Sequence, residues 1–360
     1  MSAGKNKRFH TKGSQNATFE SVDGLTDEVE RHLHWLLSSS VRLPGGMLTA
    51  WTENSIPSYS YEEATGYLIS LLGYLFQITG QERFRHEALR SAEALIESIG
   101  KRNGCGRNGK IYLFDSAIVL RALHLLMKTG SVTEDDDQRQ AIETMLHLLA
   151  STCREMLDQR LGCLAETNEC RNEHWSKRFN FHLLKALAHL HAFETETTVQ
   201  AELRHTAEQL LRQHYREGLF CPVANHAGTN LHAHCYAVEG ILLWGDLLEP
   251  TWKDDIREMA AVLAQTQTPA GALPNTWPPS DDAILLADAT AQAVRIWQCV
   301  DAEKFAGPIK QGLTFLRSLA QSEGGFFYSP DLPHTNSWTT IFTIQALLWQ
   351  HIGADAGWLI

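Results

Sequence analysis

Two kinds of helical pattern alternate along this chain from end to end, and the alternation limits the fold more than any single motif does. The runs 64–80, 116–130, 182–193 and 236–248 are apolar on nearly every side, as helices buried all round must be. Between them lie helices with one apolar stripe. In 81–102 the stripe is Phe84, Ala88, Leu89, Ala92, Leu95, Ile96 and Ile99, and charged residues fill the other face. Segments 199–218, 252–267 and 301–322 have the same character, with Pro308 starting or kinking the last of them. Ser131 and Glu134 have the spacing of a capping box and introduce a further striped helix that runs to about Leu157. Buried helices alternating with striped ones are what an inner ring wrapped by an outer ring requires. Alternating strand patterns are almost absent.

A repeat supports the ring. Glu63, Asp115, Arg178, Tyr236, Thr290 and Trp338 mark the starts of six buried helices, at intervals of 48 to 63 residues. The first striped helix is 26–40, so the ring closes by packing the N-terminal helix beside the C-terminal one. Just before most buried helices stands a glycine followed by an apolar residue, as in Gly45-Gly46-Met47, Gly162-Cys163-Leu164, Gly218-Leu219-Phe220, Gly271-Ala272-Leu273 and Gly325-Phe326-Phe327. Glycine supplies the positive φ of a tight turn, and these connections are expected on one face of the ring. The reading is all-α, an (α/α)6 toroid: residues 1–25 form a flexible tail and 26–360 one toroid domain.

Composition narrows the partners. A formal net charge of -11, with no basic block after the tail, argues against nucleic acid. No apolar run approaches the roughly 18 residues of a spanning helix, and no signal-peptide core follows the basic residues of the tail. Seven cysteines without framework spacing suit free thiols in a reducing compartment, by default the cytoplasm.

The residues leading into the buried helices are too polar for the edge of a core. They include Tyr61 to Tyr67, Phe114-Asp115, His174-Trp175 with Arg178, His232 to Tyr236 with Glu239, Asp288 with Gln292, and Asn336 with Trp338. If the six inner helices point the same way, these groups meet in one basin. Capping explains the Asp, Ser, Thr and Asn among them, but not the aromatic, His and Arg residues. Aromatic rings beside carboxylates, amides and arginine suit a sugar, which offers apolar faces and hydroxyls together. Glycosidic chemistry needs paired carboxyl groups, and the candidates are Glu63, Asp115, Glu239 and Asp288. If the chain is a hydrolase, the width of a toroid's centre favours inversion, with Glu63 as one acid and Asp115 or Asp288 as the other.

Candidate substrate-binding residues are Tyr67, His174, Trp175, Arg178, His232, His234, Tyr236, Gln292, Asn336 and Trp338. Glu239 lies a turn inside its helix, where burial would raise its pKa, and a structural hydrogen bond is the alternative. Glu62 is read as a solvated first-turn acid, as is the run 134–137. His232, His234 and Cys235 lack a zinc spacing, and neither metal nor cofactor is expected. Six inner helix N-termini, Arg178, and Arg295 if it turns inward, favour an acidic sugar.

Glu63-Ala64-Thr65-Gly66-Tyr67, His174 to Arg178 followed by His182-Leu183-Leu184-Lys185, Asp288 to Gln292, and Asn336-Ser337-Trp338 resemble the repeat starts of VpsJ-type proteins of bacterial exopolysaccharide loci. Those belong with the six-hairpin glycosidase-like toroids. The resemblance runs from about residue 40 onward and implies a hydrolase, lyase or epimerase that acts on a polysaccharide or its precursor, with possible contact to assembly machinery. Two other classes stay open. One is a non-catalytic glycan-binding or scaffold protein. The other is a terpenoid cyclase or prenyltransferase, suggested by 315–321 with Gly324-Gly325-Phe326 but lacking Asp-x-Asp-Asp.

Overall fold

The computed structural model describes residues 25–107, 110–132, 136–158, 163–164, 179–222 and 228–360. His174, Trp175, Arg178, Gly162 and Glu134 lie outside them. Among the described residues six inner helices alternate with six outer ones. The inner helices are α2 (Glu62–Thr79), α4 (Leu113–Lys128), α6 (Leu183–Phe193), α8 (Leu231–Trp244), α10 (Ala287–Asp301) and α12 (Ser337–Ile352). The outer ones are α1 (Asp27–Leu37), α3 (Glu82–Gly100), α5 (Asp136–Glu155), α7 (Thr197–His214), α9 (Trp252–Thr266) and α11 (Ala306–Ser318). Each inner helix packs on the next, and α12 returns to α2. The chain is an (α/α)6 toroid.

The two helix types differ as their sequences require. In α2 nearly every residue from Glu62 to Leu75 is buried, whereas α3 buries only one face, on Phe84, Ala88, Leu89, Ser91, Ala92, Leu95 and Ile99. Ile96 sits at the edge of that stripe, half-buried. Pro308 falls in the first turn of α11, where its missing N–H costs nothing. Helix α1 starts one residue after Thr26, whose hydroxyl caps the Val29 N–H, and it packs on α12 as the ring reading expects.

The inner helices start at one end, beneath a rim of short hairpins. Most rim strands are two residues long, too short to leave an alternating pattern in the sequence. The exception is a sheet of four strands, β1 (Trp51–Glu53), β2 (Ile56–Pro57), β3 (Phe326–Ser329) and β4 (Leu332–Asn336), in the order β3-β4-β1-β2. The antiparallel pairing Trp51↔Asn336 joins the first repeat to the last. Gly46, Gly218, Gly271 and Gly325 take the positive φ expected of their turns. At Gly271 a Cβ would also stand 2.3 Å from the Gln311 carbonyl oxygen.

One hydrogen bond recurs around the rim. A rim N–H donates to a side chain in the first turns of the following inner helix: Leu48 to Thr65 (3.0 Å), Cys105 to Ser116 (3.1 Å), Phe220 to His234 (3.2 Å), Leu273 to Thr290 (2.9 Å) and Phe326 to Thr340 (3.1 Å). Each bond fixes how its hairpin sits over its helix, and it satisfies a buried donor at the junction. The position two residues earlier is then Glu63, Phe114, His232, Asp288 and Trp338 in turn.

Candidate active site

Those five side chains and their neighbours form one basin inside the rim. Tyr61, just before α2, donates its hydroxyl to Glu63. On the adjacent helix α4, Asp115 comes near enough to Glu63 to feel its charge. Burial, and next the Glu63 charge, hold the Asp115 carboxyl well above the ordinary carboxylate range, while Arg107 works in the opposite sense. The two groups are 7% and 5% exposed, so neither is shielded from the other by bulk water.

Arg107 was not evident in the sequence. It sits in the hairpin formed by Gly106–Arg107 and Lys110–Ile111, with its guanidinium over the rings of Tyr61 and Tyr112 at 4.9 Å each and 3.8 Å from Asp115 Oδ2. A lone arginine in a glycine-rich loop carries no periodic signal, and only the folding of the hairpin onto α2 and α4 brings it to the acid pair.

Asp288 occupies another part of the basin. Its Oδ1 accepts the Ala289 N–H at 2.6 Å, and its Oδ2 accepts the Trp338 indole N–H at 3.1 Å. His232 Nδ1 lies 3.4 Å from the same Oδ2. The His232 ring packs edge-on against Tyr236 at 4.5 Å, and its side chain keeps 19% of its surface exposed. Both oxygens of Asp288 are therefore already engaged. Phe114 contacts both Tyr236 and His182, and the Tyr67 hydroxyl donates to that of Tyr236 at 3.1 Å, which closes the floor.

Several expected site residues lie elsewhere. Glu239 is fully buried below the floor, in ion pairs with Lys185 Nζ (2.8 Å) and Arg295 (2.5 Å), and Gln292 reaches it at 3.4 Å. Lys185 and Arg295 also donate to the Ile360 carbonyl oxygen, at 2.6 and 3.0 Å. Gly240 lets α8 approach α6 closely, since a Cβ there would stand 2.5 Å from the Lys185 backbone nitrogen. Arg295 does turn inward, but Glu239 takes it up before it can reach the basin. His234 faces the rim strand, where its Nδ1 accepts the Phe220 N–H, and burial lowers its pKa to about 3. Asn336 caps α12 by accepting the Thr339 N–H. Glu239, Gln292, His234 and Asn336 are thus framework groups in this structure.

Glu62 is also not solvated. It does face away from Glu63, yet that side is covered by α3 and the Arg107 hairpin, and it accepts from Arg102, from Ser98 at 2.7 Å and from the Gly106 N–H at 2.8 Å. Among the described residues no cluster of three or more His, Cys, Asp or Glu could hold a metal ion.

No family model matches the chain, and no curated protein matches its sequence. Solved structures do resemble it. An unsaturated glucuronyl hydrolase from a Bacillus species, described as responsible for the degradation of glycosaminoglycan, superposes with a TM-score of 0.64 at 16% identity, covering 90% of this chain and 94% of the other. The fold is that of the six-hairpin glycosidase-like toroids. Cellobiose 2-epimerase from Bacillus thermoamylovorans gives 0.68 at 10% identity over 90% of this chain and 98% of its own. An α-1,6-mannanase from a Salegentibacter species gives 0.61 at 13% identity, over 89% and 99%. At these identities the likeness concerns the fold.

Proposed function

We propose that this protein is a carbohydrate-active enzyme of the general acid–base kind. Asp115, beside Glu63, donates the proton, and His232, next to Asp288, takes part from another side of the basin. The observation that carries the reading is Asp115: a buried carboxyl group beside Glu63, held well above the ordinary carboxylate range, is an acid that keeps its proton where a solvated one has lost it. His232, beside Asp288 on another side of the basin, takes the second proton-handling role. The described structural neighbours include hydrolases and an epimerase, and acid–base chemistry at a sugar is common to both.

The VpsJ-type resemblance supports a place in bacterial exopolysaccharide biosynthesis, in contact with the assembly machinery, and cysteines without framework spacing support the cytoplasm. Arg107 at the rim and the inner helix N-termini support an acidic sugar or glycan as the substrate. The test is to incubate the purified protein, Asp115→Asn and His232→Gln with acidic and neutral exopolysaccharide fragments, separating hydrolysis, elimination and epimerisation by product analysis. Turnover that both substitutions reduce at least a hundredfold is expected. Tight glycan binding without turnover by the unaltered protein would leave a glycan-binding protein in place of the enzyme.

A further inference from the structure

Six aromatic side chains form a closed circuit on one side of the basin, and two of them touch its acids. Tyr61 donates to Glu63, and Trp338 donates to Asp288. From these two the contacts run outward: Tyr61 to Tyr59 (ring centroids 5.7 Å apart), Tyr59 to Trp51 (5.3 Å), Trp51 to His334 (5.5 Å), His334 to Tyr328 (5.4 Å) and Tyr328 to Trp338 (6.2 Å), with Tyr61 to Trp338 at 5.8 Å closing the loop. The tyrosines of the floor, Tyr67 and Tyr236, are buried, but every ring of the circuit keeps accessible surface, and Tyr59 is 42% exposed. Trp51, Tyr328 and His334 stand on the four-stranded sheet that joins the first and last repeats. Helix packing alone does not explain six part-exposed rings in sequence.

We infer that this wall is a binding platform for a glycan chain: sugar units adjoining the one at the acid pair stack on Tyr59, Trp51, Tyr328 and His334. The substrate is then an oligosaccharide or a polymer segment, taken in preference to a single sugar. The chemistry suits that occupant. An aromatic ring suits the C–H face of a sugar, and while the Tyr61 hydroxyl and the Trp338 indole N–H are taken by Glu63 and Asp288, the polar atoms of Tyr59, Trp51, Tyr328 and His334 are of the kind that pairs with sugar hydroxyls. The outward path starts where the proposed reaction occurs, so a bound chain is threaded past the acids.

The inference rests on the proposed carbohydrate function, and the experiment separates the two. Binding of the unaltered protein to an array of acidic and neutral glycans of one to ten units is compared with that of Tyr59→Ala, Trp51→Ala and, as a control in the turn that follows α8, Leu247→Ser, an exposed position. Hexasaccharide affinity above that of the matching monosaccharide is expected. Each wall substitution should cut the ratio of the two by about tenfold or more, and Leu247→Ser should leave it alone. Thermal unfolding, followed in parallel, identifies a purely structural role, which would lower Tm without changing the ratio. Equal affinity for one and six units, no glycan bound at all, or a ratio indifferent to both wall substitutions overturns the platform. Loss of turnover with length-dependent binding intact would instead fault the enzyme reading and keep the platform.

Discussion

The toroid has two polar layers on its axis, and they differ in how completely their groups are bonded. In the lower layer Glu239 is held by Lys185, Arg295 and Gln292, and the two cations find further acceptors in Ile360 and Gln345. In the upper layer Asp115 confronts another carboxyl group, and Arg107 reaches it only at 3.8 Å. A buried charge with all its partners stabilises one arrangement, and a buried acid short of partners is poised to react. Both layers were visible as polar residues in apolar helices, and the completeness of bonding is what sorts them.

Substitutions should separate the layers. The largest effect is expected from Asp115→Asn, which removes the proton at little change of shape: kcat should fall about 10²- to 10⁴-fold with substrate affinity kept, measured by steady-state kinetics on a verified substrate. Stability that collapsed along with activity would place Asp115 with the lower layer. Glu239→Gln should do the reverse. Stranding Lys185 and Arg295 in the interior costs on the order of 3–5 kcal/mol by urea unfolding, while kcat per folded molecule changes little.

The pH dependence of stability carries the same contrast at smaller size. Burial lowers Lys185 to about 8 from the ordinary 10.5, so between these values the unfolded chain binds the proton that the folded one has released. Stability should therefore rise with pH across that window, by at most about 1.4 kcal/mol per unit, and Lys185→Met should abolish the rise. Asp115 works with the opposite sign. Its raised pKa means that the folded state keeps a proton the unfolded state has lost, so stability falls as pH climbs above the ordinary 3.8, and Asp115→Asn should gain relative stability over that climb.

The smallest effect belongs to Arg107, whose side chain is 32% exposed. Arg107→Gln should move the alkaline limb of the kcat/KM profile upward, because the cation that opposes the Asp115 shift is gone. It should also weaken any preference for acidic over neutral glycans by a few-fold at low salt.

How much of this could be read beforehand depends on whether a feature is local or assembled. The alternation of helix types, the striped face of α3 and the turn glycines are written in short windows, and the structure has them. Depth along a helix that is apolar all round is not. Glu63 and Glu239 both occur in buried helices, and only the positions of Lys185 and Arg295 on other helices show that one opens to the basin while the other is sealed. His234 and Thr290 look unlike in sequence yet accept the same strand N–H, so a residue read as a ligand was the local variant of a structural bond. Arg107 and the wall of Trp51, Tyr328 and His334 depend on contacts between hairpins, which no single window contains.

The seam between the first and last repeats bears on how the molecule is made. Ser337 donates to the Thr49 carbonyl oxygen across 288 residues of chain, and β1 finds β4 over a similar distance. During synthesis the first hairpin leaves the ribosome long before its partner exists, so the β1 edge waits unpaired while five repeats follow it. Closure of the ring is then a late event with a large loop-closure entropy, and the half-built solenoid is the state most exposed to pairing with the wrong chain.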